Sequence, residues 1–400
     1  MNIGFFGGTF DPVHNGHVAM VKASLRDGGL DRLVLIPAGT TVHKPVERVS
    51  NAGIRYIMCR LAFGSFERVE VSKTEVLRES GSYTIETVRE LRSWLAANDE
   101  LFMVCGADIL FDILGWRFPQ DILRETSILA SLRPGHERSA FEARADFLRD
   151  NYGARIRFFD APQVEVSSTA VRVAAFAGED IRGMVPPTVA KFISRAGLYT
   201  ADDPLDSLDA AALEKLRTYD RMLLGRLDGH RLEHSLLTMT TAARLAIRYG
   251  VDVFSAALAG LVHDCAKGLP PEKALQYVDP GDLATRNEPR LYHGPAGAGM
   301  ARDEFGITDP DVLAAIKCHA TGCAGMTPLA MVLYLADKIE PSRDYPGAVL
   351  FRELAEKDMD TAFYASAETF VRSLAENGKP AHPDTLAAIE EVGRRKRLDH

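Results

Sequence analysis

The sequence predicts an α/β domain with a doubly wound parallel sheet over residues 1–200, a linker at 201–209, and an all-α domain over 210–400. Three observations carry that expectation. Short β-rich runs alternate with helical stretches through the first half, the pattern of a parallel sheet with crossover helices. Convincing strands stop near residue 200, and helical periodicity takes over. Between the two halves, "YTADDPLDSLD" (199–209) is acidic and carries a proline, as a domain edge does. A chain of 400 residues is also too long for one ordinary core.

The predicted strands are 2–8, 31–39, 68–75, 100–108, 126–134 and 154–162. Most lack polar–apolar alternation, as strands covered on both faces do. Helices are predicted between them at 15–27, 51–64, 84–97 and 139–150. A ligand site is then expected at the carboxyl ends of the strands. In the second half the periodicity predicts helices at 210–224, 232–249, 253–267, 271–278, 295–305, 309–319, 327–339, 347–356, 358–376 and 383–396.

With 46% hydrophobic and 26% charged residues, the composition is that of a globular protein, and the net charge of −8 argues against nucleic-acid or membrane-surface binding. The N-terminus lacks a signal-peptide pattern, and no apolar run is long enough to span a membrane, so the expected location is the cytoplasm. The five cysteines (Cys59, Cys105, Cys265, Cys318, Cys323) are odd in number and scattered, as reduced thiols are. Oligomeric state is left open, a homodimer among the options.

"GGTFDPVHNGH" (7–17) joins a predicted strand to a predicted helix. Gly7 and Gly8 permit a tight turn and close approach of the backbone to a ligand. The helix start favours phosphate, and His14 and His17, three apart, can donate to phosphate oxygens. "VSSTAVR" (166–172) sets Ser167, Ser168 and Thr169 at another helix start, with Arg172 one turn on. One hydroxyl suffices as an N-cap. Three hydroxyls and an arginine read as a second phosphate clamp.

These segments, with "GSYTIETVREL" (81–91), "GADILFDILGWRFPQDI" (106–122) and "GMVPPTVAKFI" (183–193), resemble the Rossmann-like HIGH-type nucleotidylyltransferases, and within them bacterial nicotinate-nucleotide adenylyltransferase. The resemblance spans nearly all of residues 1–200. It implies that the phosphate of nicotinate mononucleotide attacks the α-phosphorus of ATP, giving deamido-NAD and pyrophosphate, with Mg²⁺ shielding the ATP phosphates. Gly7, Gly8, Thr9, Phe10, His14 and His17 would hold ATP phosphates, and Ser167, Ser168, Thr169 and Arg172 the β- and γ-phosphates. Tyr83, Thr84 and Trp116 would shape the nicotinate pocket, with Asp108 on a ribose hydroxyl. His43, Lys44 and Arg133 would meet the mononucleotide's phosphate and carboxylate.

The second half embeds polar residues in apolar helices: His234, the pair His263–Asp264, His293, His319 and Asp337. Each is costly to bury alone. A single Zn²⁺ takes about four ligands, whereas this set suits two metals sharing a carboxylate. Cys318 and Cys323 flank His319 but form no paired C-x-x-C, so they read as small packing residues. The order His…His-Asp…His…His…Asp resembles the HD phosphohydrolases. "LVHDCAKGLP", "VLYLADKIEPSRDYPG", "HRLEHSLLTMTTAARLA", "LYHGPAGAGMARDEFGI" and "HPDTLAAI" narrow it to the symmetrical bis(5'-nucleosyl)-tetraphosphatases, over about 210–395. The resemblance implies that Asp264 bridges two metals. His234, His263 and Asp337 would complete one site, and His293 and His319 the other. Nitrogen and oxygen ligands favour iron or manganese. Diadenosine tetraphosphate would be split into two ADP, with Lys267 reaching a phosphate. Two other readings of the second half are a general nucleotidase or phosphodiesterase, and a regulator that binds nucleotide without turnover.

Overall fold

The computed structural model describes residues 1–39, 49–79, 81–132 and 138–398. The chain divides into two compact units, 1–193 with 199–201 and 194–198 with 202–400.

The first unit is a six-stranded sheet of β1 (Asn2–Gly8), β2 (Arg32–Pro37), β3 (Val69–Val71), β4 (Glu100–Gly106), β5 (Ser127–Leu132) and β6 (Arg155–Asp160), in the order β3-β2-β1-β4-β5-β6. Every paired neighbour is parallel. All six residues of β5 are buried, which explains why its sequence lacks polar–apolar alternation. The edge strand β6 alternates instead, as a strand with one open face does. Val88, Leu91, Met103, Leu110, Ile122, Ile128 and Leu148 belong to one hydrophobic core between the sheet and its helices. The strand order reverses between β1 and β4, so a ligand crevice is expected at their carboxyl ends.

Helices Asn15–Arg26, Ala52–Phe63, Thr84–Trp94 and Arg138–Tyr152 lie where periodicity places them. Short helices Ile109–Asp112 and Pro119–Glu125, and the longer Ser168–Phe176 and Pro187–Ala196, complete the unit. The first two are under two turns, too short to show a period.

The described part of the second unit contains helices and no strands. Its framework is Gly229–Tyr249, Val253–Val262, His293–Asp303, Pro310–Cys318 and Pro328–Ile339. Asp228, Asp252, Asp309 and Thr327 cap four of these, each accepting from a backbone N–H of the first turn. Such caps contribute about 1 kcal/mol each. Gly260 lets two helices cross closely: a Cβ there would stand 2.8 Å from the Met239 Cα. Several predicted helices are shorter than expected: 84–97 ends at Trp94, and 271–278 is α-helical only over Pro271–Ala274. The run 253–267 is helical only to Val262, with His263 as the C-cap. The chain then turns, reaching Gly268 at φ +94°, where a side chain is disfavoured.

Candidate active sites

The first unit holds a cavity of about 900 Å³ at the carboxyl ends of β1 and β4. Gly7, Gly8, Thr9, His14, His17, Thr84, Asp108, Trp116 and Ser167 line it. His14 is the N-cap of Asn15–Arg26, one residue before the helix begins. The backbone N–H of His14 donates to His17 Nδ1 (3.1 Å). That bond fixes His17 as the Nε2–H tautomer, and its ring stacks on His14 at 3.6 Å. His14 Nδ1 is buried without a hydrogen-bond partner. Burial lowers the His14 pKa to about 4, and burial with His14 alongside holds His17 well below the usual imidazole range. Both rings are therefore neutral donors at pH 7, able to bind phosphate oxygens without forming a cation first.

Of the other predicted residues, Phe10, Tyr83, Ser168, Thr169 and Arg172 stand outside the lining. Phe10, at φ +52°, is buried with its ring edge-on to His17 at 4.9 Å, a prop for the imidazole. Ser167 caps Ser168–Phe176 by accepting from the Ala170 N–H (3.1 Å). Ser168 Oγ donates to the Pro12 carbonyl (2.9 Å), and Arg172 donates to the Asp11 carbonyl. Arg172 also approaches Thr169 Oγ1 at 3.4 Å. These contacts tie the second arm to the His14 loop. Tyr83 immediately precedes Thr84–Trp94, with the Arg117 guanidinium 4.5 Å from its ring. His43, Lys44 and Arg133 lie outside the described residues. The lining also includes Phe6, Met20 and Glu75, which no motif marked, and Ser82, which lies in the segment 81–91 but was not singled out there. Burial raises the Glu75 pKa, although Thr87 Oγ1 donates to its carboxylate (2.7 Å).

In the second unit the six predicted ligands converge. Two groups have ligand atoms within 4.8 Å of one another: His234, His263 and Asp264, and Asp264, His293 and His319. Asp264 belongs to both. Asp337 Oδ1 lies 3.1 Å from His234 Nε2 and 3.8 Å from His263 Nε2. Three imidazoles share one anchor. His263, His293 and His319 each donate from Nδ1 to the carbonyl three residues earlier, of Gly260 (2.8 Å), Arg290 (2.7 Å) and Ile316 (2.7 Å). A carbonyl only accepts, so the proton is on Nδ1 and the Nε2 lone pair faces inward. His234 Nδ1 meets the Glu340 carboxylate instead (3.2 Å). Two such Nε2 atoms, of His234 and His263, are 3.2 Å apart. Lone pairs that close repel unless a proton or a cation lies between them.

The donor set fits divalent metal: imidazoles oriented by a second hydrogen bond, and carboxylates held ionised. Although burial opposes it, His263, His319 and Lys267 keep Asp264 well below the usual carboxylate range. Burial likewise opposes ionisation of Asp337, which Lys338, His234, His263 and Arg343 reverse. Burial drives His263 to about 4 and His293 to about 3, so both rings are neutral, as ligands must be. His234 differs: although burial opposes it, Asp337 and Glu340 raise it to about 9, so its ring carries a proton that a cation would have to replace. Lys267 Nζ lies 3.4 Å from Asp264 Oδ1 and 3.2 Å from His293 Nε2. Arg343 and Glu340 were not singled out by sequence reasoning. Arg343 donates to Asp337 Oδ1 (2.7 Å), and Glu340 has no exposed surface. Both lie in "DKIEPSRD", and the signal available was a buried glutamate and an arginine just beyond Asp337.

Comparison with known proteins separates the same two halves. The family model described as "Cytidylyltransferase-like" matches residues 5–174, and the one described as "HD domain" matches 231–342. A "Probable nicotinate-nucleotide adenylyltransferase" of Thermoanaerobacter sp. (strain X514) is 32% identical over 51% of this chain and 96% of its own length. One of that name from Clostridium tetani (strain Massachusetts / E88) is 34% identical over 48% of this chain and 96% of its own. A "Bis(5'-nucleosyl)-tetraphosphatase, symmetrical" of Bacillus subtilis (strain 168) is 40% identical over 40% of this chain and 88% of its own. Among the described residues no helix is long and apolar enough to cross a membrane.

Proposed function

The chain belongs to the nicotinate-nucleotide adenylyltransferase family over its first half and to the symmetrical bis(5'-nucleosyl)-tetraphosphatase family of HD proteins over its second, and from that premise we propose a bifunctional cytoplasmic enzyme with a boundary near residue 200. The first domain joins nicotinate mononucleotide to the adenylyl group of ATP. The mononucleotide phosphate forms a bond to the α-phosphorus as the bond to pyrophosphate breaks, giving deamido-NAD.

The cavity at the β1–β4 crevice, with its paired neutral imidazoles, supports this reading. His17 Nε2–H and His14 donate to ATP phosphate oxygens, and Gly7, Gly8 and Thr9 leave room for the chain's backbone to meet them. Charge that develops on the departing pyrophosphate is stabilised by fixed donors that need no reorganisation. Ser167, Ser168, Thr169 and Arg172 steady the far phosphates. Trp116 stacks on the nicotinate ring, and Asp108 accepts from a ribose hydroxyl. Mg²⁺ accompanies ATP and offsets its charge.

The second domain hydrolyses diadenosine tetraphosphate to two ADP. The observation that carries this is the convergence of four imidazoles about Asp264, three of them anchored through Nδ1. His234, His263, Asp264 and Asp337 would hold one metal ion, and Asp264, His293 and His319 the other. Iron or manganese suits the ligand set, and such a centre supplies Lewis-acid activation of water and phosphate. Lys267 contacts the polyphosphate beside His293. A paired assay tests both activities: the full chain beside His263→Ala/Asp264→Ala, given ATP with nicotinate mononucleotide, and separately diadenosine tetraphosphate. The variant should lose hydrolysis and keep adenylyl transfer. AMP plus ATP as products, or no turnover by the wild type, would refute symmetrical cleavage.

A further inference from the structure

Cys318 and Cys323 do more than pack. Their sulfurs are 2.6 Å apart, and both side chains are partly exposed. Cys59, Cys105 and Cys265 are each buried. The contact is built by the backbone. Cys318 ends the helix Pro310–Cys318 and His319 is its C-cap. The N–H groups of Thr321 and Gly322 both donate to the Cys318 carbonyl (3.2 and 2.7 Å). Gly322 at φ +73° completes the reversal and returns Cys323 over Cys318. The turn so formed carries His319, whose Nε2 is 3.6 Å from Asp264 Oδ1. Thr385 Oγ1 donates to the Thr321 carbonyl (2.7 Å), and just beyond the turn the Gly325 N–H donates to Glu391 (2.6 Å), so the loop is tied to the last helix at both points.

We propose that Cys318 and Cys323 are a reversible dithiol–disulfide pair whose closure locks the turn bearing His319 and slows escape of metal ion from that centre. The oxidant is a low-molecular-weight disulfide. One cysteine thiolate attacks it, forming a mixed disulfide and expelling one small thiol. The second cysteine then displaces the other small thiol. Two protein S–H bonds are replaced by one S–S bond, and the two electrons and two protons leave with the two small thiols. A disulfide is about 2.05 Å long, so closure moves the sulfurs by only about half an ångström. His319 keeps its bond to the Ile316 carbonyl. The bridge therefore restrains opening of the turn rather than the geometry of the ligand. The pairing stands on the thiols alone, and the locking rests on the metal reading above.

The two parts are tested separately on the full chain. Protein is equilibrated across graded ratios of reduced to oxidised glutathione, quenched by alkylation and mapped by peptide mass. The expected product is an intramolecular 318–323 bridge, with the other cysteines alkylated. Alkylation of both thiols at every ratio, or a glutathione adduct that never resolves, overturns the pairing. For the locking, Mn²⁺-loaded protein is mixed with excess chelator, and release should be about tenfold slower in the oxidised form. Cys318→Ser and Cys323→Ser should each abolish that redox dependence and leave the reduced rate unchanged. Equal or faster release on oxidation overturns the locking. Failure of Mn²⁺ to bind at all overturns it too, together with the metal reading, while the thiol map still decides the pairing.

Discussion

Glu340→Gln separates orientation of a metal ligand from ligation itself. Glu340 is fully buried and accepts from His234 Nδ1 (3.2 Å), from the Ser342 N–H (2.7 Å) and from Ser342 Oγ (2.5 Å). Although burial opposes it, those donors hold its carboxyl below the ordinary range. A glutamine matches the shape but offers one acceptor oxygen. If that oxygen keeps His234, the amide N–H₂ faces the Ser342 N–H and leaves a buried donor unpaired, costing about 1–3 kcal/mol. Loss of the carboxylate also weakens the hold on His234 and its basicity. Outer-shell changes of this kind reduce metal affinity about 10–100-fold, or roughly 1.4–2.8 kcal/mol. Competition for Mn²⁺ against a fluorescent chelator measures the first effect, and denaturant unfolding of metal-free protein the second. Adenylyl transfer should stay within about twofold of wild type, because no residue of the first cavity is touched. Affinity within about threefold of wild type in a folded variant would refute the orienting role.

Three further outcomes follow from the same geometry. His14 is held neutral to about pH 4 in the folded chain, while an unfolded imidazole protonates near 6.5. Because the folded value is depressed, its stabilisation is present above about pH 6.5 and is lost as pH falls toward 4. Wild type should therefore lose about 2 kcal/mol relative to His14→Gln between pH 7 and 4.5, read by denaturant titration; a pH-independent difference would refute it. Gly260→Ala sets a Cβ 2.8 Å from Met239 Cα and 2.9 Å from the Thr238 carbonyl, one turn before His263. It should destabilise the second unit by about 1–3 kcal/mol and lower its melting temperature, and an unchanged melting temperature would count against the tight crossing. Trp116→Ala should raise KM for nicotinate mononucleotide by about tenfold or more with little change in KM for ATP; equal effects on both would argue that Trp116 only packs.

The parts legible in the sequence are those with a repeated physical signature. β5 shows no polar–apolar alternation because both its faces are covered, and the framework helices stand out as long apolar runs because Gly229–Tyr249, Val253–Val262 and Pro328–Ile339 are buried on all sides over much of their length. The candidate ligands His263, Asp264 and His319 stand out because ionisable groups in apolar surroundings demand a partner. Glu340 and Arg343 satisfy the same demand, yet they follow Asp337 in a stretch that looks like an ordinary charged helix end, where solvated residues are common. Only tertiary packing turns them inward. Glu75 ends the predicted strand 68–75 and Ser82 lies in the segment 81–91, yet the strand itself covers only Val69–Val71, so position in the fold alone brings both side chains to the first cavity.

The cysteines show what residue spacing leaves out. Spacing of Cys318 and Cys323 argued against a zinc motif and so toward inert packing, because a five-residue separation says nothing about a turn. The backbone reversal at Gly322 makes that separation a contact. The same turn presents His319 to Asp264, so the local conformation that completes the candidate metal cluster also brings the two sulfurs together. A residue pattern limits which chemistries are available, and the turn between the residues selects among them.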